Sequence, residues 1–335
     1  SGGKVLFTPR NADLHWTSPP LAEVPVFWNR LMNPGWSRML GLWCDTNHPA
    51  LAQFPTEANC DWQWTQIVRG VRPVNLEGLP RELQPIVQAI DDWNRNWKLG
   101  AVFECTVGSG RLLVCSFDIE RNLDSRPVAR QLRHSLLAYM QTDAFQPKVS
   151  VTPAQFATVL FDSQVMRKLG ARASGDGTGA SLAIDGDPNT VWTSGGGRGA
   201  SAARHPHQLT VAFERPVNVE ALIVMNRQND RNHAGDIRDY RLQASEDGQE
   251  WRAIAEGRLA STWSPQRIEL GAPVTAKHLR LTALSGFGTD STAAIAELAV
   301  LEAGTRVTGS GGTIEYQRSR STSTDVEEGG AAPLR

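Results

Sequence analysis

The sequence predicts a two-unit chain, an α/β unit followed by an all-β sandwich, and three observations carry that reading. Its 335 residues exceed the usual size of one domain. Eight of the eleven Trp residues and all four Cys lie before residue 120, so composition changes part-way along. The periodicity changes with it: the first half mixes helical spacing with apolar runs, whereas the second half repeats short runs between turn signals.

Taken in order, Val5-Leu6-Phe7-Thr8 reads as a strand at the very start of the chain. A short helix is expected around residues 61–68. Residues 86–90 fit strand or helix by pattern, but Pro85 and the β-branched pair Ile86-Val87 favour a strand. Residues 99–107 and 111–119 are apolar runs joined by Gly108-Ser109-Gly110, the composition of a tight hairpin whose turn needs positive φ. Behind Arg126-Pro127, the residues Val128, Ala129, Leu132, Leu136, Leu137 and Met140 recur at helical spacing, and proline suits a first helical turn. Residues 141–153 carry two prolines, polar groups and no helical period, which reads as a linker with a cut near 147. Strands are then expected at 208–213, 219–226, 239–245, 266–270, 278–283 and 294–301, separated by turns such as Glu246-Asp247-Gly248. Many short strands at even spacing mean a β-sandwich. Beyond Gly304 few large apolar groups remain to offset ordering entropy, so a disordered tail or linker is expected. The division is therefore 1–146, 147–304 and 305–335.

Charge and motif arithmetic narrow the function classes. With 34 basic against 35 acidic residues there is no basic excess to bind a phosphate backbone, so no nucleic-acid partner is expected. No run approaches the ~18 apolar residues of a membrane span, and the first residues lack the regions of a signal peptide. A chain that opens without Met, directly on a strand, is expected to be part of something larger. Thiol catalysis needs a Cys on a Gly-flanked elbow, and Cys44, Cys60, Cys105 and Cys115 have no such flanks. No Cys-x-x-Cys pairing suggests zinc, and Cys105 and Cys115 on facing hairpin strands are either buried thiols or a disulfide. The carboxylate pairs Asp91-Asp92 and Asp118-Ile119-Glu120 read as strand-end and turn residues rather than a glycosidase pair, and His48 and His134 as structural histidines. The indoles Trp28, Trp62 and Trp64 either pack inside or reach toward a neighbouring cleft.

Four blocks of the second half carry a family resemblance: Ala183-Ile184-Asp185-Gly186-Asp187-Pro188-Asn189-Thr190-Val191-Trp192, Asn226-Arg227-Gln228, Asp239 to Trp251, and Ala294-Ile295-Ala296-Glu297-Leu298. In order and spacing this region resembles the discoidin, or coagulation-factor type C, domain and carbohydrate-binding module family 32. The resemblance implies a galactose-binding-like jelly roll. It also implies structural calcium, held by the carbonyls of Leu182, Asp187 and Ala296, the carboxylates of Asp185 and Glu297, and both oxygens of Thr190. The loop is not an EF-hand, since counting Asp185 as position one puts Thr190 where the turn glycine belongs and Gly196 where the bidentate glutamate belongs. Read from residues alone, the same Asp-Gly-Asp segment is equally a turn whose carboxylates cap backbone amides. A sugar site of this family pairs an aromatic platform with Arg, Asn and His donors, which points to Arg227, Asn229, Asn232, His233, Phe287 and His205. Thr193 stands where galactose binders often have His. The alternative is a solvated cluster of Arg227 with Asp230 or Asp236 and a Phe287 that packs on its own loop.

The first half has its own blocks: Phe27-Trp28, Leu40 to Asp45 with His48-Pro49-Ala50-Leu51, Trp62-Gln63-Trp64, Ile90 to Trp93, and Gly108 to Ser116 leading into Arg126 to Leu132. Over residues 3–141 it resembles part of the flavodoxin-like, class I amidotransferase-like α/β domain that follows the barrel of bacterial glycoside hydrolase family 2 enzymes, the β-galactosidase-like group. The two resemblances together imply a non-catalytic accessory region that binds a galactose-type glycan or polysaccharide beside an upstream catalytic barrel, in a periplasmic or extracellular protein. The rival is a structural or oligomerisation scaffold without sugar binding, and the discriminator is whether Arg227, His233 and Phe287 form one exposed concave patch or are scattered and covered.

Overall fold

Apolar runs in the first half build a mixed sheet. The computed structural model describes residues 2–21, 41–91, 95–160, 162–195, 204–228, 230, 232–288 and 291–303. Within them the first unit has strands β1 (Lys4–Phe7), β2 (Gly41–Cys44), β3 (Val74–Asn75), β4 (Pro85–Ile90), β5 (Lys98–Val107) and β6 (Gly110–Cys115), in the order β1-β6-β5-β4-β2 with β3 on β5. The β1–β6 pair is parallel, and the β6–β5, β5–β4, β4–β2 and β3–β5 pairs are antiparallel. The expected hairpin is present, turning between Val107 and Gly110 through Gly108 at φ +59°. Its register sets Cys105 opposite Leu112 and Cys115 opposite Val102, and all four cysteines are free thiols.

Helix α1 (Trp62–Val68) starts where the Asp61 carboxylate accepts from the Gln63 amide at 2.9 Å. Helix α2 (Pro127–Gln141) buries Ala129, Leu132, Leu136, Tyr139 and Met140 along one face. Ser135 sits on that face and is satisfied twice, donating to the Ala50 carbonyl at 2.7 Å and accepting from the Gln53 amide at 3.1 Å. The core between helices and sheet is aromatic: Trp64 lies 5.2 Å from Phe54 and 5.4 Å from Phe117, centroid to centroid. Burial of each such ring contributes on the order of 2–3 kcal/mol. Trp64 is therefore a core residue, while Trp62 is 89% exposed; Trp28 and Trp93 lie outside the described residues.

Residues 141–153 are not an open linker. Phe145 and Val151 are fully buried, and the Thr106 amide and carbonyl pair with Val149 and Val151, both at 2.8 Å. The segment thus runs along the end of β5, and Leu14 bridges Leu160 further on, so packing on the first unit continues well beyond the expected cut near 147. Prolines and polar residues show that a stretch is irregular, and they leave open whether it is solvated.

The second unit is a seven-stranded arrangement, β11-β10-β12-β9-β13-β8 with β7 on β9, built from β7 (Arg172–Gly175), β8 (Trp192–Thr193), β9 (His207–Asn226), β10 (Ile237–Ser245), β11 (Arg252–Arg258), β12 (Gln266–Gly286) and β13 (Ala294–Glu302). Two pairs of expected short strands are each one long strand. β9 runs through 208–226 and β12 through 266–286, pairing along both halves with register shifts between Glu269 and Val274 and between Ala276 and His278. Such irregularities let paired strands bend together around a core, here Leu209, Val211, Phe213, Leu222, Val224, Ile268 and Leu281. Folding the long strands back brings five segments to one end: His207 pairs Ala283, Ile237 pairs Gly286, Asn226 pairs Ile295, the Leu259 amide bonds Arg238, and the Ala294 amide bonds Gly235. The two units touch through Trp16, 1% exposed and part of the sandwich core, and through Arg72, which donates to the Gly186 carbonyl. The expected tail at 305–335 lies outside the described residues.

Candidate functional site

The loop after β9 is fastened by two side-chain amides and by the buried Asp236 carboxylate. Asn226 donates through Nδ2 to the Ala260 and Thr262 carbonyls at 3.1 and 3.2 Å, and Gln228 donates through Nε2 to Trp263 at 3.0 Å. These bonds fasten the 260–263 segment beside the 226–236 loop and place Trp263 next to His233. The two rings stack, 4.4 Å apart at 24°. His233 has φ +56°, a left-handed conformation that an L-residue adopts at a cost of roughly 1–2 kcal/mol. The surroundings offset that cost: Nδ1 hydrogen-bonds the Asp236 carboxylate at 3.0 Å and the amide donates to Asp230 at 3.2 Å. Asp236 is 1% exposed and its Oδ2 also accepts from Ser261 at 2.9 Å. Burial pushes the Asp236 carboxyl up, and the bonds from Ser261 and His233 pull against that.

The other expected residues lie on this loop and on the neighbouring ones. Arg227 is half-buried, Asn232 is exposed with its amide on Asp230 at 2.8 Å, and Phe287 is half-buried just after the Gly286–Ile237 pairing. His205 hydrogen-bonds through Nδ1 to the Ala283 carbonyl at 3.3 Å and lies 4.8 Å from His207, which is buried against the Ser291 carbonyl. Asn229 lies outside the described residues. The segments that carry Arg227, Asn232, His233, Phe287 and His205 therefore lie at one end of the sandwich. Trp263, Asp236 and Ser261 join them although the sequence pattern did not single them out for the site. A Trp in the turn before a strand, Trp263-Ser264-Pro265, was the available signal.

The 182–190 loop, where the resemblance implies a cation, is built on Thr190. Its Oγ1 lies 3.2 Å from the Leu182 carbonyl, 3.0 and 3.2 Å from the two Asp185 oxygens and 3.0 Å from the Asp187 carbonyl. The strand partner supplies the rest. In β13 the register shifts between Ile295 and Glu297, so Ala296 is the extra residue of a bulge, which re-aims a backbone group out of the ladder. Glu297 is fully buried, and neither of its carboxylate oxygens has a hydrogen-bond partner. Burial and the facing Asp185 push its pKa well up, the mark of a site short of positive charge. Among the described residues no three His, Cys, Asp or Glu side chains are spaced to hold a metal ion; the expected set has two carboxylates and is otherwise carbonyl and hydroxyl oxygen, the donor type a hard cation takes. The residues fit such an ion. They also cap backbone: Asp185 accepts from the Asp187 amide at 2.8 Å and Asp187 from the Asn189 amide at 3.0 Å.

Other candidate chemistry is structural. Asp91 forms a buried pair with Arg95 at 2.7 Å, under the Trp97 ring. Asp118 caps the Glu120 and Arg121 amides, and the Glu120 carboxylate accepts from Thr8. His48 accepts from the Ala50 amide at 3.2 Å. Burial pushes the Cys44 and Cys115 thiols up to about 12 and Cys105 up to about 11, so none is a thiolate near neutral pH.

Residues 168–298 match the family model of the F5/8 type C domain. The second unit is an F5/8 type C domain. Residues 1–161 match a model described as a domain of unknown function, DUF8487. Among solved structures the F5/8 type C domain is similar to a Clostridium perfringens module, CpGH89CBM32-5, in complex with GalNAc-β-1,3-galactose, at 27% identity over 39% of this chain and 92% of that one, TM-score 0.33. It is likewise similar to the family 32 module of C. perfringens NanJ in complex with galactose, at 26% identity over 39% and 90% of the two chains, TM-score 0.33. A third similar structure is a pectin-binding carbohydrate-binding module, 22% identical over 40% and 89%, TM-score 0.32. No helix among the described residues is long and apolar enough to cross a membrane.

Proposed function

We propose that the F5/8 type C domain binds carbohydrate, with a galactose-type glycan favoured, and carries structural calcium. The observation that supports this best is the His233–Trp263 stack, fixed by Asp236 at the end of the sandwich to which the segments carrying Arg227, Asn232, Phe287 and His205 come. An indole next to an imidazole offers an apolar face for a pyranose ring, with Arg and Asn at hand to donate to hydroxyls. Calcium would be held by Leu182, Asp185, Asp187, Thr190, Ala296 and Glu297. When bound it supplies the positive charge that Glu297 lacks and ties the 182–190 loop to β13.

The first unit is read with it as an amidotransferase-like α/β domain of a glycoside hydrolase family 2 type protein, on the blocks quoted above. One parallel strand pair and a helix packed on the sheet support that reading, and four antiparallel pairs depart from a flavodoxin-like sheet. In this role the chain does no hydrolysis; it raises the local concentration of glycan near a catalytic barrel in the periplasm or outside the cell. A scaffold role draws on a different observation, the burial of Trp16 and Arg72 between the units. Calorimetric titration in calcium buffer with galactose- and N-acetylgalactosamine-terminated oligosaccharides separates the two. Saturable binding that Arg227→Ala abolishes supports the module, and absence of heat from folded protein favours the scaffold.

A further inference from the structure

We infer that Arg72 makes the cation loop a joint between the two units, so that occupancy of the loop and docking of the first unit on the sandwich stabilise one another. This rests on the calcium reading above. Arg72 belongs to the first unit, where its amide donates to Asn11 at 3.1 Å and the neighbouring Val71 carbonyl accepts from Leu21 at 2.7 Å. Its side chain leaves that unit. It is 7% exposed, Nη2 donates to the Gly186 carbonyl, and Nη1 has no hydrogen-bond partner. Gly186 stands between Asp185 and Asp187, and its carbonyl is outside the expected donor set, so the guanidinium grips the loop without taking a ligand.

The loop has no slack at that point. Gly186 has φ +82°, and a Cβ there would come within 2.7 Å of the Ser163 carbonyl, on the segment joining the units. Charge points the same way. Asp187, Glu297 and Asp185 all act on the Arg72 guanidinium, so three carboxylates meet one positive charge from the other unit. Trp16, buried in the sandwich core a few residues from Asn11, docks the same face. Because Arg72 holds the loop only when the units are docked, whatever favours the ordered loop favours docking, and the reverse follows by linkage.

Hydrogen–deuterium exchange on the full chain, with calcium chloride against chelator, tests this. Calcium should slow exchange in residues 182–190 and 294–298 and, by roughly 5-fold or more, in residues 11–21 and 70–76 of the first unit. In Arg72→Ala the protection should stop at the sandwich. Arg72→Lys, which keeps the charge but loses the planar fork, provides a second folded variant and should also lose most of the spread. Calcium protection confined to the sandwich in the wild type, or spread unchanged in the folded variants, would overturn the joint while leaving the calcium site standing. No calcium-dependent change anywhere would remove the calcium reading and the joint with it.

Discussion

Burial holds the His15 imidazole neutral, its pKa pushed down to about 3, with the Arg72 charge adding to the effect. In the unfolded chain the same group titrates near 6.5. The unfolded state therefore binds the extra proton between about 6.5 and about 3, and the His15 contribution to stability falls as pH drops through that window. At pH 4 the loss amounts to about 3 kcal/mol, and urea midpoints of His15→Gln against wild type should show a shallower decline in the variant. At the sugar end, Arg227→Ala and Trp263→Ala should each weaken glycan affinity at least about 10-fold, or ~1.4 kcal/mol, in calorimetry. The proposed calcium donors could be named only from a family pattern, because Asp185 and Thr190 lie close in sequence while Ala296 and Glu297 arrive from a strand more than a hundred residues on. Trp263, Asp236 and Arg72 were not legible as site residues at all. Their roles depend on pairings across 30, 25 and 114 positions that no local spacing records.

Helix α2 shows how much an element depends on one polar pair. Ser135 bridges the Ala50 carbonyl and the Gln53 amide inside the core, so Ser135→Ala leaves both without their side-chain partner and should cost about 1–3 kcal/mol by chemical denaturation. The glycine of the cation loop is a second such point: Gly186→Ala meets both a left-handed φ and the Ser163 carbonyl, and should lower the melting temperature of the sandwich. The helix at Pro127, the Gly108 hairpin and most sandwich strands were readable because apolar spacing and turn chemistry are local. Strand β11 was not, since Arg252–Arg258 is an exposed edge with charges at both ends and no alternating apolar face. Nor could apolar runs show that β9 and β12 each continue through a bend, or that β1 pairs in parallel while its neighbours do not. Those depend on the partner strand.

The two units share more than a covalent link. Trp16 fills part of the sandwich core from the first unit, and Trp16→Ala should cost about 3–5 kcal/mol through the cavity it leaves, while splitting thermal unfolding into separate transitions for the two units. Composition changes part-way along the chain, yet residues 141–153 read as a linker because irregular backbone paired to a strand end has the same composition as irregular backbone in solvent. The charge is balanced over the chain, and the proposed recognition falls to the aromatic and amide groups at one end of the F5/8 type C domain. Isothermal titration of the full chain in calcium buffer with galactose- and N-acetylgalactosamine-terminated oligosaccharides, repeated with Arg227→Ala, tests that recognition directly. Saturable heat in the wild type that vanishes in the variant is the expected result; a folded wild-type chain that gives no heat with these glycans, or binds them equally well without Arg227, would contradict it.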